Sequence, residues 1–136
     1  MADYHKVGLI TMADHHVLLC RKRGLGPLIL PGGQLEAGES AEECLRRELT
    51  EELGDVTVEK LTYLGTYQDR AATADPNEVK TVEIQLYLGE LCGQPVASSE
   101  IAELVWFGLE SDWKDLSPIL VRKIFPDLRE RGIIPW

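Results

Sequence analysis

The sequence has no long apolar run. Its longest uninterrupted ones, such as Val17 to Cys20 and Leu28 to Pro31, fall far short of the roughly 20 residues that a membrane-spanning helix needs, so no membrane partner is expected. The segment Met1-Ala2-Asp3-Tyr4-His5-Lys6 has no basic stretch followed by an apolar one; no secretory leader is expected there, and the chain reads as cytoplasmic. Cysteine is scarce as well. Cys20, Cys44 and Cys92 stand alone, with no C-x-x-C pair, which excludes a zinc knuckle and a disulfide-stapled scaffold and leaves each as a small apolar residue. Positive charge is short: 14 Lys+Arg face 23 Asp+Glu, a net charge of -9, a balance that repels phosphate backbones and argues against nucleic acid as a partner. With 7 Pro, 12 Gly and no repeat or linker, the composition excludes disorder and low-complexity architectures.

The length, 136 residues, is that of one domain, read as 1–136. Residues 6–12 and 16–22 are apolar-rich and joined by Ala13-Asp14-His15-His16, which predicts a hairpin with a polar tip. Leu28-Ile29-Leu30 predicts a short strand running into Pro31-Gly32-Gly33, where two glycines permit positive φ and close approach of backbone to a ligand. Ser40-Ala41-Glu42-Glu43 fits a capping box and Gly54 a C-terminal stop, predicting a helix at about 41–53 with Ala41, Leu45, Leu49 and Leu53 as its buried stripe. Strands are expected over 56–68, 79–90 and 104–107, with a loop over 70–78. A second helix is expected from the N-cap Ser117 and Pro118, ended or kinked by Pro126. Regular β-α-β alternation is missing, so the expected class is α/β of the α+β kind, with a mixed sheet packed between helices.

Charge is unevenly spread. Between Glu36 and Glu59 nine acids meet two bases, so 24 residues carry -7 of the -9. At about 100° per residue, Glu48 and Glu52 fall at the border of the buried stripe and Glu51 beside them, three acids three and four apart on one patch. Such carboxylates repel unless a cation neutralises them, and an all-oxygen set suits magnesium or manganese. A plain solvated acidic face is the alternative reading of the helix alone. The surrounding spacing is more specific. Gly33, Glu39, Arg47, Glu48, Leu49, Glu51, Glu52 and Gly54 fit G-x5-E-x7-R-E-(aliphatic)-x-E-E-x-G, a chance match on the order of 10⁻⁷ at average residue usage.

On these residues the sequence resembles the Nudix hydrolases, the MutT-like pyrophosphohydrolases. Leu30-Pro31-Gly32-Gly33, Val17 to Arg23 and Glu103 to Phe107 resemble the flanking strands. One departure is Asp55, where the family pattern has an aliphatic residue; Val56 is expected to fill that slot. The resemblance implies an α/β/α sandwich and an enzyme acting on phosphorus-containing anhydrides, hydrolysing a pyrophosphate bond in a small-molecule, nucleotide-type substrate with Mg2+, or Mn2+ in its place. It implies Glu48 and Glu52 as principal metal ligands, Glu51 as a shared one, the Gly33 carbonyl as a backbone donor, and Gly32 and Gly33 beside the substrate. Arg47 would orient carboxylates, although by spacing it can also form an ordinary ion pair with Glu43 or Glu51. Alternation would let Arg21 and Arg23 share a face toward substrate phosphates, or leave them as a solvated strand end. Glu100, in Ala97-Ser98-Ser99-Glu100, is the first candidate for general base or extra ligand, Glu51 the second, with Glu103 and Glu83 in reserve. Tyr63, Tyr67, Trp106, Trp113 and Trp136 are read as core or as stacking surfaces for a base. A non-catalytic nucleotide-binding module and an RNA-end pyrophosphohydrolase are the rival functions, and a homodimer is left open.

Overall fold

The computed structural model describes residues 2–75 and 77–136. The chain lays down β1 (Tyr4–Ile10), β2 (Met12–Ala13), β3 (His16–Lys22) and β4 (Gly32–Gln34), then α1 (Ala41–Leu53), β5 (Thr57–Arg70), β6 (Thr81–Cys92) and β7 (Ile101–Phe107). A 3₁₀ turn at Trp113–Asp115 leads to a π-helical segment, Leu120–Ile124, and α2 (Phe125–Glu130). One sheet runs β4-β1-β6-β5 and the other β2-β3-β7. The first is mixed, because β1 pairs antiparallel with β4 and parallel with β6.

Period-2 alternation divides the apolar side chains between two cores. Val7, Leu9 and Leu18 pack with Cys44, Leu45, Leu49 and Leu53 of α1. Ile10, Val17, Leu19, Val82, Ile84 and Leu86 face the other way, onto Leu120, Ile124, Phe125 and Leu128. The sheets therefore lie between α1 and the C-terminal helix, the mixed sheet between helices that the pattern predicted. Truncating a fully buried anchor such as Leu49 to Ala would cost about 2–5 kcal/mol.

The predicted hairpin of 6–12 with 16–22 is corrected. Only the piece around β2 pairs with β3, through Met12↔Val17, Ala13↔His16 and the Leu18 amide on the Thr11 carbonyl at 3.1 Å. β1 itself crosses to the centre of the other sheet, which is why Val7 to Thr11 is buried without interruption. The strand expected at Leu28–Leu30 is also displaced. Ile29 makes one isolated pair of bonds with Cys20, and the regular strand comes later, at Gly32–Gln34.

Helix α1 begins and ends as its local signals dictate. The Ser40 hydroxyl accepts from the Glu43 amide at 3.1 Å while the Glu43 carboxylate accepts from the Ser40 amide at 3.0 Å. Gly54, at φ 81°, turns the chain out. The Glu52 and Leu53 carbonyls accept from the Ser98 and Val96 amides at 3.0 and 2.9 Å, so the connection from β6 to β7 is fastened across the helix end. Asp55 is exposed and Val56 buried beside α1, so the aliphatic slot is filled one residue late without disturbing the helix. Cys44 joins the buried stripe and Ala41 lies at its edge. Burial pushes the Cys20 thiol up and the Cys44 thiol up to about 12, which keeps both inert near neutral pH. Cys92, at the end of β6, is only half-buried.

Two expectations about the C-terminal helix are revised. The chain becomes helical at Pro118, but the Ser117 hydroxyl caps nothing: it is buried and has no hydrogen-bond partner. Pro126 neither stops nor sharply breaks the helix; the turn ahead of it widens, the Phe125 amide bonding to the Leu120 carbonyl, and a proline without an N–H is accommodated. Trp113 and Trp136 pack with Phe107 and Phe125, and the Trp136 indole N–H donates to the His15 carbonyl at 2.6 Å.

Candidate active site

A cavity of about 620 Å³ opens between the C-terminal half of α1, β1, the end of β3, the glycine turn, residues 71–74 and 78, and the start of the C-terminal helix. Glu48, Glu51 and Glu52 line it from α1, and Gly32 and Gly33 approach from the turn. Backbone geometry requires the first glycine, and the second leaves room for a carboxylate. Gly32 sits at φ 136° with the space for a Cβ taken by the Val7 carbonyl, and a Cβ on Gly33 would overlap the Glu48 carboxylate.

Glu52 is the most deeply placed of the three acids, 5% exposed, and its carboxylate accepts the Gly32 amide at 2.8 Å. Burial raises its pKa to about 7; the Gly32 bond and Lys22 oppose the shift, and Glu48 adds to it. Glu48 is half-buried and Glu51 exposed.

Arg47 organises this edge of the helix. Its guanidinium donates to Glu39 at 2.7 and 3.0 Å, to Glu48 at 2.9 Å and to the Gln34 carbonyl at 3.2 Å, with Glu51 and Glu36 each 3.8 Å away. The Arg47 bonds hold the Glu39 carboxyl down at about 2. Glu39 also accepts the Glu36 amide at 3.1 Å, so one arginine ties the turn ahead of the helix to the acidic face. Of the two spacing partners, Glu43 is instead engaged in the capping box.

The identity of the fold follows from this box and its setting, and the model of the NUDIX domain matches residues 5–127. The chain belongs to the Nudix hydrolases. Among solved structures this Nudix hydrolase is similar to the MutT NUDIX hydrolase from Burkholderia pseudomallei, at 25% identity and a TM-score of 0.71 over 89% of this chain and 97% of that one. It is also similar to the E. coli ORF135 protein, at 26% identity and a TM-score of 0.67 over 94% and 91% of the two chains. The MutT protein from Methanosarcina mazei Go1 shares the fold at 23% identity and a TM-score of 0.72, over 95% and 94%. The enzyme is a MutT-like hydrolase of pyrophosphate bonds, from a family that acts on small nucleotide-type molecules and generally uses divalent metals. Among the described residues no helix is long and apolar enough to cross a membrane.

The basic residues of the cavity are only partly those expected. Arg21 is not among its walls; it bonds to Glu103 at 2.6 Å and to the Gly26 carbonyl. Strand β3 ends at Lys22, so alternation no longer governs Arg23, which lines the cavity from the following turn. Lys22 and Lys6 line it too; the sequence marks Lys22 only as part of the basic run Arg21 to Arg23 and gives Lys6 no role. The alternation Tyr4-Lys6-Gly8 along β1 was the available signal for Lys6. Burial, then Lys22, lowers the Lys6 pKa. In contrast to Arg21 and Arg47, these three cations form no ion pair with a described carboxylate.

Glu100 lines the rim, where its carbonyl accepts the Arg23 amide at 2.8 Å and the Ser98 amide fastens the loop to Glu52. Its backbone is thus held near the acids without a swing of the loop. Glu103 is engaged by Arg21, and Glu83 by His5 at 3.0 Å. Glu78, on the loop before β6, is a further acid on the cavity wall. Of the aromatic residues, Tyr4 lines the cavity, whereas Trp106 and Tyr63 are exposed elsewhere.

The donor set fits a hard divalent cation. Its members are all carboxylate or carbonyl oxygens, and the one buried acid, Glu52, sits beside a second carboxylate and strains against ionisation. Among the described residues no three acids are gathered closely enough to enclose an ion; Arg47 bonds to Glu48 and the Gly32 amide to Glu52.

Proposed function

We propose that this Nudix hydrolase cleaves a pyrophosphate bond in a nucleotide or nucleotide derivative with the help of magnesium, or of manganese in its place. The observation that carries the reading is that Glu48, Glu51 and Glu52 line one cavity together with the cations Lys6, Lys22 and Arg23, which form no ion pair with a described carboxylate. A polyphosphate bridging the two sets would satisfy both, since its oxygens take the lysine and arginine donors directly and reach the acids through a divalent ion. When bound, that ion screens phosphate charge and acidifies a water.

Glu48 and Glu52 are the proposed principal ligands, with Glu51 sharing and the Gly33 carbonyl as backbone donor. Arg47 is a positioning residue: its bonds to Glu48 and Glu39 fix where the carboxylates stand. Gly32 and Gly33 let the backbone come close to the phosphates. Lys6, Lys22 and Arg23 bind and orient the polyphosphate and stabilise charge on the departing phosphate. Glu100 takes the proton from the attacking water in this reading, since it stands at the rim and is free of the α1 network; Glu51 is the alternative.

The test is phosphate release from a panel of nucleoside triphosphates, nucleotide sugars, ADP-ribose and dinucleoside polyphosphates, with magnesium, manganese or chelator. Hydrolysis is expected only with metal, and Glu52→Gln or Glu48→Gln is expected to lower turnover by roughly a hundredfold. Near-normal turnover in either variant at saturating metal would overturn the ligand assignment.

A further inference from the structure

The connection between β6 and β7 is held to the cavity at two places. Before its turn, the Ser98 amide donates to the Glu52 carbonyl at 3.0 Å; after it, the Glu100 carbonyl accepts the Arg23 amide at 2.8 Å. The Ile101 amide closes the turn on the Ser98 carbonyl at 3.1 Å, which leaves Ser99 and Glu100 as its central residues. Among the described residues, the non-glycine positions with positive φ are Asp14, His15, Lys60 and Ser99, the last at 57°. Of these, Ser99 alone lines the cavity, and it stands directly before Glu100. Where the first central residue of a turn has positive φ, glycine is the usual occupant, because a side chain there crowds the following carbonyl. An outlier of this kind persists where its surroundings over-determine it. Here those surroundings are the backbone of a proposed metal ligand on one side and that of a proposed phosphate-binding residue on the other.

We infer that Ser99 is a positioning residue whose left-handed backbone fixes Glu100 at the cavity. The inference rests on the reading of Glu100 as the base. Glu100 is exposed, so its place is set less by packing than by the direction in which the chain leaves the turn, and that direction follows from φ at Ser99. A glycine at this point would admit both hands. A side chain confines the backbone to the small left-handed well. Glu100 therefore stands at one place relative to both the acids of α1 and the cation Arg23 before any substrate binds.

The experiment compares Ser99→Val, which places a β-branched side chain where positive φ is hardest to hold, with Ser99→Gly and Ser99→Asn, which accept it. Amide hydrogen exchange is measured without ligand. Values of kcat and KM are measured with magnesium for the panel nucleotide turned over fastest, for each variant alone and on the Glu100→Gln background. In Ser99→Val the Arg23 amide is expected to exchange about tenfold faster, having lost the Glu100 carbonyl, while the Ser98 amide keeps its rate. The same variant is expected to lose about tenfold in kcat with KM within about twofold, and Ser99→Gly and Ser99→Asn to restore most of that loss. On the Glu100→Gln background Ser99→Val should cost little more, because a residue that acts through another then has nothing left to position. Unchanged Arg23 exchange, an equal loss of kcat on both backgrounds, or no rescue by either variant overturns the inference. So does a general rise in exchange with a lowered thermal midpoint, which would mark a turn needed only for folding. Failure of the base reading looks different: Glu100→Gln itself keeps the full rate while Arg23 exchange in Ser99→Val is still accelerated. That result sinks the base assignment and leaves the backbone restraint at Ser99 standing.

Discussion

Glu52 carries a pH dependence whose sign can be worked out. Its folded pKa, about 7, lies above the ordinary 4.5, raised by burial, so the folded protein holds a proton that the unfolded chain has already released. The stabilisation is complete below about 4.5 and is lost as pH rises through about 7, by an amount on the order of 3 kcal/mol. In chelator, the thermal midpoint of the unmodified protein is expected to fall between pH 5 and pH 8 relative to Glu52→Gln, which keeps the acceptor for Gly32 and loses the charge. Parallel curves would mean that the carboxylate is solvated. Glu39 has the opposite sign. Held down at about 2 by Arg47, it stabilises above its ordinary pKa, and that contribution disappears only as pH falls through about 2. The acids of this site were legible in the sequence because their spacing is a property of one helix. Lys6 was not, nor was the turning of Lys22 rather than Arg21 to the cavity, since a basic residue in a strand looks the same whether its tip meets water or a cavity.

At the scale of elements, α1 brings Glu48, Glu51 and Glu52 to the cavity, and its beginning can be perturbed apart from them. Ser40→Ala removes one half of the capping box and is expected to cost about 1 kcal/mol in urea unfolding. Turnover per folded molecule should hold, because Glu48 and Glu52 lie two to three turns further on. A large loss of activity would show that fraying at Ser40 reaches the acidic face. Arg47→Lys is different in kind: a lysine cannot bond Glu39, Glu48 and the Gln34 carbonyl together. It is expected to lower kcat by about 10- to 100-fold with little change in KM, and a kcat equal to that of the unmodified enzyme would remove Arg47 from the site. The helix was readable to the residue because capping, stripe and stop are local. The pairing of β1 was not, since nothing in Val7 to Ile10 says which strand will lie alongside.

For the whole molecule, the two cores on either side of the sheets set stability. Trp136 closes one core against Phe107 and Phe125 at ring distances of 5.5 and 5.1 Å and ties the His15 carbonyl. Trp136→Ala is expected to cost about 3–5 kcal/mol in unfolding free energy and to leave kcat of the remaining folded protein intact. A destabilisation below about 1 kcal/mol would mean that the cluster is not needed. Magnesium is expected to raise the thermal midpoint of the unmodified enzyme progressively, and much less that of Glu52→Gln, because an ion on the acidic patch binds only the folded chain. Equal shifts would place the ion elsewhere.

The sequence by itself determined the helix bearing Glu48, Glu51 and Glu52, the glycine turn before it, the family and the class of reaction, because each rests on residues within a span of 22. Tertiary structure decided the rest. It turned Arg21 to Glu103 and brought Lys6 and Lys22 to the cavity, left the Ser117 hydroxyl without the cap its position promised, and set β1 between β4 and β6. Spacing along a helix fixes direction within a few residues, whereas the face a strand residue presents, and what stands opposite, depends on packing between segments distant in the chain.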